Sequence, residues 1–162
     1  MKVLGIDPGL ARLGWSILEQ NAGEVHYGCI ETPAHLSLAK RLTQIYDDLK
    51  NIIETHQPTD LALETLFFVK NAKTLAQVGH ARGVILLLAG QSGIQVHEYA
   101  PRQIKMALTG FGGADKKQMQ SMLQRLLGLA EIPKPDDAAD AVAVALCHLQ
   151  FSKSFEKSAA TV

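Results

Sequence analysis

Two of the most apolar strands in this chain each end on an acidic residue, and that is a severe condition on any fold it adopts. Val3-Leu4-Gly5-Ile6 runs into Asp7, and Leu61-Ala62-Leu63 runs into Glu64. Two more acids, Asp137 and Asp140, stand three apart at the start of an Ala-rich apolar helix. A buried carboxylate is costly unless it is paired or binds metal. If the two strands lie side by side and the helix packs across their ends, all four acids converge. Converging like charges need a cation, and an oxygen-only donor set suits a hard one such as Mg²⁺. The expectation is metal-dependent chemistry on phosphate.

Each acid also has a plainer reading. Asp7 opens Asp7-Pro8-Gly9, a turn sequence. Asp at a helix start is common, with Asp136 as a cap and Asp137 and Asp140 as partners of the helix dipole. Glu64 is harder to explain this way, because a Glu closing a continuously apolar strand does no obvious structural work. It is the set, drawn from three distant segments, that points to a site.

The remaining pattern supplies the scaffold. Lys2–Ile6, Leu13–Leu18 and Glu24–Ile30 read as three strands, the last two joined at the turn signal Asn21-Ala22-Gly23. Ser37–His56 is an amphipathic helix, with Leu38, Leu42, Ile45, Leu49, Ile52 and Ile53 on one face. Asp60–Glu64 is a fourth strand, and its unbroken apolarity fits a central position. A second helix spans Asn71 to about Gln91. It is polar at first and then apolar nearly all round, which fits either burial on several sides or a subunit interface.

Ile94–Tyr99 is a fifth strand. Helices follow from Pro101 to Leu108, from Asp115 to Leu127, and from near Asp136 to about Phe151. Strands then alternating with helices predict an α/β fold, a five-stranded mixed sheet with helices on both faces. The fourth strand should lie beside the first through a right-handed crossover. Residues 1–151 form one domain, and 152–162 read as a flexible polar tail.

Net charge is zero, yet residues 70–125 carry 8 basic and only 2 acidic side chains. That segment is either a nucleic-acid footprint or a solvated helix face. No apolar run reaches bilayer-spanning length. The opening residues lack a signal-peptide pattern. Cys29 and Cys147 read as reduced core thiols of a cytoplasmic protein. The histidines at 26, 35, 56, 80, 97 and 148 show no metal-ligand spacing, and His148 reads as a packing residue beside Cys147.

Five segments together carry a resemblance: Gly5-Ile6-Asp7-Pro8-Gly9, Leu63-Glu64, Lys70-Asn71-Ala72, Ala81-Arg82-Gly83 and Asp136-Asp137-Ala138-Ala139-Asp140-Ala141. In order and spacing they resemble the RuvC family of Holliday-junction resolvases over about residues 1–150. The resemblance implies a ribonuclease H-like fold and a homodimer. It also implies symmetric nicking of four-way DNA junctions with Mg²⁺ or Mn²⁺, in recombination and repair, and a RuvA–RuvB branch-migration complex as partner. Its metal-ligating, catalytic positions fall on Asp7, Glu64, Asp137 and Asp140. Some relatives have His at the last of these; here the set is purely carboxylate.

Two-metal hydrolysis would place two ions roughly 3.5–4 Å apart on the scissile phosphate. Asp7, on a central strand, is the candidate bridging ligand, and the products implied are 5′-phosphate and 3′-hydroxyl ends. Lys70, Lys73, Arg102, Lys105, Lys116 and Lys117 are candidate phosphate contacts, of which Lys105 and Lys116 match family positions for DNA handling. Phe67 matches an aromatic that stacks on bases near the crossover, a contact worth roughly 1–3 kcal/mol.

Other readings stay open at this point. The Asp-Pro-Gly turn also resembles the phosphate loop of actin-like ATPases, which need a duplicated domain. A general ribonuclease H-like nuclease and a non-catalytic junction-binding module remain as well.

Overall fold

A computed structural model describes residues 1–20, 24–65 and 72–159, with the side chains of residues 73 and 153–159 outside the description. The turn at Asn21-Ala22-Gly23 therefore lies outside the described residues, as do Phe67 and Lys70 and the side chain of Lys73. Five strands form one sheet: β1 (Lys2–Asp7), β2 (Arg12–Glu19), β3 (Val25–Glu31), β4 (Asp60–Glu64) and β5 (Gln95–Tyr99). Their spatial order is β3-β2-β1-β4-β5. The β1–β2 and β2–β3 pairs are antiparallel, and β1–β4 and β4–β5 are parallel. The fourth strand thus lies beside the first, as the connection rules require.

Side-chain alternation splits the core into two layers. Leu4, Ile6, Leu13, Ile17, Leu61 and Leu63 face helices α1 (Leu38–His56) and α2 (Ala72–Gln91), meeting Ile45, Leu49, Ile53, Ala81, Ile85 and Leu88. Val3, Leu18 and Ala62 face the other way. They pack on α3 (Pro101–Thr109), α4 (Lys116–Leu127) and α5 (Asp136–Ala159). The helices cover both faces of the sheet, as the pattern predicts.

α5 is the central element of the second layer. Ala138, Ala139, Ala141, Val142, Val144, Ala145 and Cys147 are buried along it. Small side chains let it lie close to the sheet. Gly5 and Gly14 permit the approach: a Cβ on Gly5 would collide with the Ala141 carbonyl oxygen, and one on Gly14 with the Asp137 carbonyl oxygen. Buried Ser16 fastens the same contact, its Oγ donating to the Ala141 carbonyl at 3.0 Å. α5 continues to Ala159, beyond the expected end at Phe151. Residues 152–159 contain no Gly or Pro, so nothing in them stops a helix.

Candidate active site

The parallel register of β1 and β4 pairs Ile6 with Leu63, and the next residue of each strand is an acid, Asp7 and Glu64. Both lie on the α5 face, because they share the alternation of Gly5 and Ala62. Asp7 is also the register partner of Gly14. Since the backbone of Asp137 rests on Gly14, the first turn of α5 is set directly over the end of β1. Asp140 follows one helical turn later. Four carboxyls from positions 7, 64, 137 and 140 therefore gather at one end of one sheet face.

Their electrostatics bear the marks of crowding. The Asp7 carboxyl is pushed up from 3.8 to about 7, first by burial and then by Asp140, Glu64 and Asp137, with Lys116 opposing. Burial, then Asp140, raises Glu64, and Lys105 pulls it back. Burial raises Asp140 against the downward pull of Lys116. These groups are held near one another without enough positive charge.

Two basic residues enter the same space. A cavity of about 230 Å³ is lined by Glu64, Asp140, Lys105 and Lys116, over a floor that includes Ile104, Met119 and Val144. α3 presents Lys105, its start fixed by Pro101 in the first turn and by Gln103 Oε1 accepting from the Ala100 amide at 2.8 Å. α4 presents Lys116, its start fixed by a reciprocal cap. Asp115 Oδ1 accepts from the Gln118 amide, and Gln118 Oε1 accepts from the Asp115 amide, both at 2.9 Å. The Lys116 ammonium bridges Asp136 at 2.9 Å and Asp140 at 3.6 Å. A residue expected to face DNA is thus also an internal counter-ion. Arg102 and Lys117 are exposed on the same two helices.

Arg82, in the segment Ala81-Arg82-Gly83 that helps carry the resemblance, is given no role there, yet it reaches the end of β4. It donates from Nη1 to the Glu64 carbonyl oxygen at 3.2 Å and pairs through Nη2 with Glu98 at 2.6 Å. It ties the end of β4 to α2. Its signal was an arginine set just before the most apolar stretch of a helix.

The chain's similarities to known proteins agree with this geometry. The family model for crossover junction endodeoxyribonuclease RuvC matches residues 3–148. The chain is 50% identical over 160 residues to the crossover junction endodeoxyribonuclease RuvC of Chloroflexus aurantiacus, covering 97% of this chain and 98% of that one. It is 53% identical over 150 residues to that of a Roseiflexus species, covering 91% and 89%. The chain belongs to the RuvC family. Among solved RuvC structures, Thermus thermophilus RuvC in complex with Holliday junction substrate superposes with a TM-score of 0.90. The two share 32% identity, covering 96% of each chain. The RuvC architecture is the ribonuclease H-like α/β fold that the resemblance implies. The yeast mitochondrial resolvase Ydc2, 13% identical with a TM-score of 0.69, shares the fold alone.

His148 is buried against His97 and Tyr99, a packing residue as expected. The histidines lack metal-ligand spacing in sequence, yet His97 and His148 meet Asp60 in space. Among the described residues this is the one trio of His, Cys, Asp or Glu whose donor atoms all lie within 4.8 Å of one another. It shares no residue with the carboxylate set, in which no three oxygens approach one another that closely. Spacing rules register only ligands from one element, whereas these come from two strands and a helix. Both cysteines are free, Cys147 buried and Cys29 half-buried.

Proposed function

We propose that this chain is a structure-selective endodeoxyribonuclease that resolves four-way DNA junctions by paired nicks, with Asp7, Glu64, Asp137 and Asp140 as catalytic metal ligands. The observation that carries it is Asp7, a carboxyl held among three others on a central strand and pushed up to about 7. The donor set fits a hard divalent ion. It consists of carboxylates only, and it is already arranged to draw in positive charge, as the reach of Lys116 to Asp140 indicates.

Bound there, Mg²⁺ or Mn²⁺ supplies Lewis acidity toward phosphate oxygens and lowers the pKa of coordinated water. The chain's own groups supply the rest. Asp7, which feels the β4 acid and both α5 acids, would be the ligand shared by two ions. Glu64 is held in position through its own carbonyl by Arg82. Lys105 lies in the cavity beside Glu64 and meets a backbone phosphate there. Lys116, now paired with Asp136 and Asp140, would be free to meet phosphate once a metal held Asp140. Arg102 and Lys117, with Lys70 and Lys73, would meet further phosphates, and Phe67 would stack on a base near the crossover.

Pairing of two nicks calls for two copies of the site. α2 offers a surface for this: Leu75 is 44% exposed, Leu86 38% and Leu87 56%. Gly79, Gly83 and Gly90 are exposed along the same helix and open to close backbone approach. Large apolar side chains left in water on one element fit a homodimer contact. Among the described residues no helix is long and apolar enough to cross a membrane. A cytoplasmic enzyme working after a RuvA–RuvB branch-migration complex completes the reading.

The test is junction cleavage with and without Mg²⁺ or Mn²⁺, run beside linear duplex and an RNA–DNA hybrid. Four-way junctions should be nicked in a metal-dependent way and linear duplex spared. Asp7→Asn should lower cleavage by about 10²-fold or more, since a metal's Lewis acidity contributes several kcal/mol. Junction binding should remain. Full cleavage by Asp7→Asn would remove the assignment, and equal cutting of the hybrid would favour a general ribonuclease H-like nuclease.

A further inference from the structure

The Asp60–His97–His148 trio lies on the same sheet face as the carboxylate set, but at its opposite end. Asp60 opens β4 and Glu64 closes it, so roughly 13 Å of strand separates them at about 3.3 Å per residue. His148 stands eight residues beyond Asp140 on α5, roughly 12 Å at 1.5 Å per residue. This is a separate place in the molecule, and the phosphodiester chemistry makes no use of it.

Its geometry is that of a ligand set. Both imidazoles aim Nε2 at a single oxygen, Asp60 Oδ1, with His97 at 3.0 Å and His148 at 3.6 Å. The ring centroids are 4.3 Å apart. Ligand atoms about 2.1 Å from a tetrahedral zinc lie roughly 3.4 Å from one another, so these spacings need little adjustment to hold an ion.

The surrounding contacts orient the ligands. Tyr99 Oη lies 2.7 Å from His148 Nδ1, the outer nitrogen, where a partner fixes ring orientation and tautomer. Thr59 Oγ1 donates to Asp60 Oδ2 at 2.6 Å, so Oδ1 is the carboxylate oxygen turned to the histidines. His148 is almost fully buried, while the His97 side chain is 34% exposed and leaves a way in. Ser152 Oγ, 3.5 Å from His148 Nε2, stands near the remaining coordination position.

We propose that Asp60, His97 and His148 form a second metal site, selective for a borderline transition ion such as Zn²⁺ and distinct from the all-carboxylate site. Two imidazoles and one carboxylate favour Zn²⁺ over Mg²⁺, which takes oxygen ligands. The site ties β4, β5 and α5 together away from the DNA-cutting end. Its role is structural, and Ser152 or a water would supply the fourth ligand that closes it.

The experiment uses the full, tag-free chain carrying Asp7→Asn and Glu64→Gln, so that the carboxylate site is disabled. After chelation and dialysis it is titrated with Zn²⁺ by calorimetry and with Co²⁺ by visible absorption. One equivalent of each should bind, without the strong near-ultraviolet band of a cobalt–thiolate bond, and Zn²⁺ should raise the melting temperature. Adding His97→Ala should weaken binding by at least tenfold. Asp60→Asn, nearly isosteric, should do the same, and it decides the matter if the histidine variant does not fold. Absence of saturable binding, a thiolate band, or unchanged affinity in a folded His97→Ala or Asp60→Asn protein would overturn the site and leave a metal-free His–Asp–His hydrogen-bond cluster.

Discussion

Asp7 concentrates the consequences of the fold in one side chain. Its carboxyl titrates near 3.8 when unfolded and at about 7 in the folded chain. Between those values the folded state holds a proton that the unfolded state has released. Stability of the metal-free protein must therefore fall as pH rises from about 4 to about 7, and stay lowered above that. At about 1.4 kcal/mol per pKa unit, Asp7 alone sets a ceiling of about 4 kcal/mol on that loss. Thermal melts without divalent ions should show it, and Asp7→Asn should flatten the profile and raise the melting temperature at pH 8. Mg²⁺ should restore the wild-type protein at pH 8 and have much less effect on the variant. A metal-free profile that climbs through this range would contradict the buried, crowded state of Asp7. The same side chain shows what was legible from sequence. An acid ending an apolar strand is a visible anomaly, whereas the ion pair of Lys116 with Asp136 and Asp140 follows only from where α4 begins beside α5.

At the scale of elements, the seating of α5 on β1 and β2 sets the site. Gly14 is the point where helix backbone replaces side chain. Gly14→Ala should displace the first turn of α5 and cost about 1–3 kcal/mol, the usual range for overpacking. Cleavage should fall more steeply than stability, because Asp137 and Asp140 move with that turn. Denaturant unfolding and single-turnover cleavage of the same preparation would show the two effects separately, and an alanine tolerated in both would mean the helix has room to spare. Strands and helices were readable because each carries its own period: β4 spans Asp60–Glu64 as its apolar run indicates, and α1 begins beside Ser37, whose Oγ accepts from the Lys40 amide. The zinc-type trio was not readable. Residues 60, 97 and 148 share no local period, and only the pairing of Ala62 with His97, together with the path of α5, brings them together.

At the scale of the whole molecule, the exposed leucines of α2 bear on assembly. Leu86→Glu with Leu87→Glu adds charge where an apolar contact is proposed, and should convert a dimer to monomer in light scattering without unfolding it. Junctions treated with the variant should accumulate single nicks in place of paired ones. A variant that stays dimeric would move the contact elsewhere. The neutral total charge conceals a division of labour: Arg82 is committed to Glu98 and the end of β4, Lys116 is shared with the acids, Lys105 lines the cavity beside Glu64, and Arg102 and Lys117 are exposed.

The order of the elements carries a last implication. Glu64 joins Asp7 only after a long crossover, and Asp137 and Asp140 ride on the element that follows all the others. A polypeptide still emerging from the ribosome, or one cut short before residue 136, holds only half of its carboxylates. On the proposed assignment of the four acids, such a copy would be unarmed, and cutting would have to wait until that helix had been made.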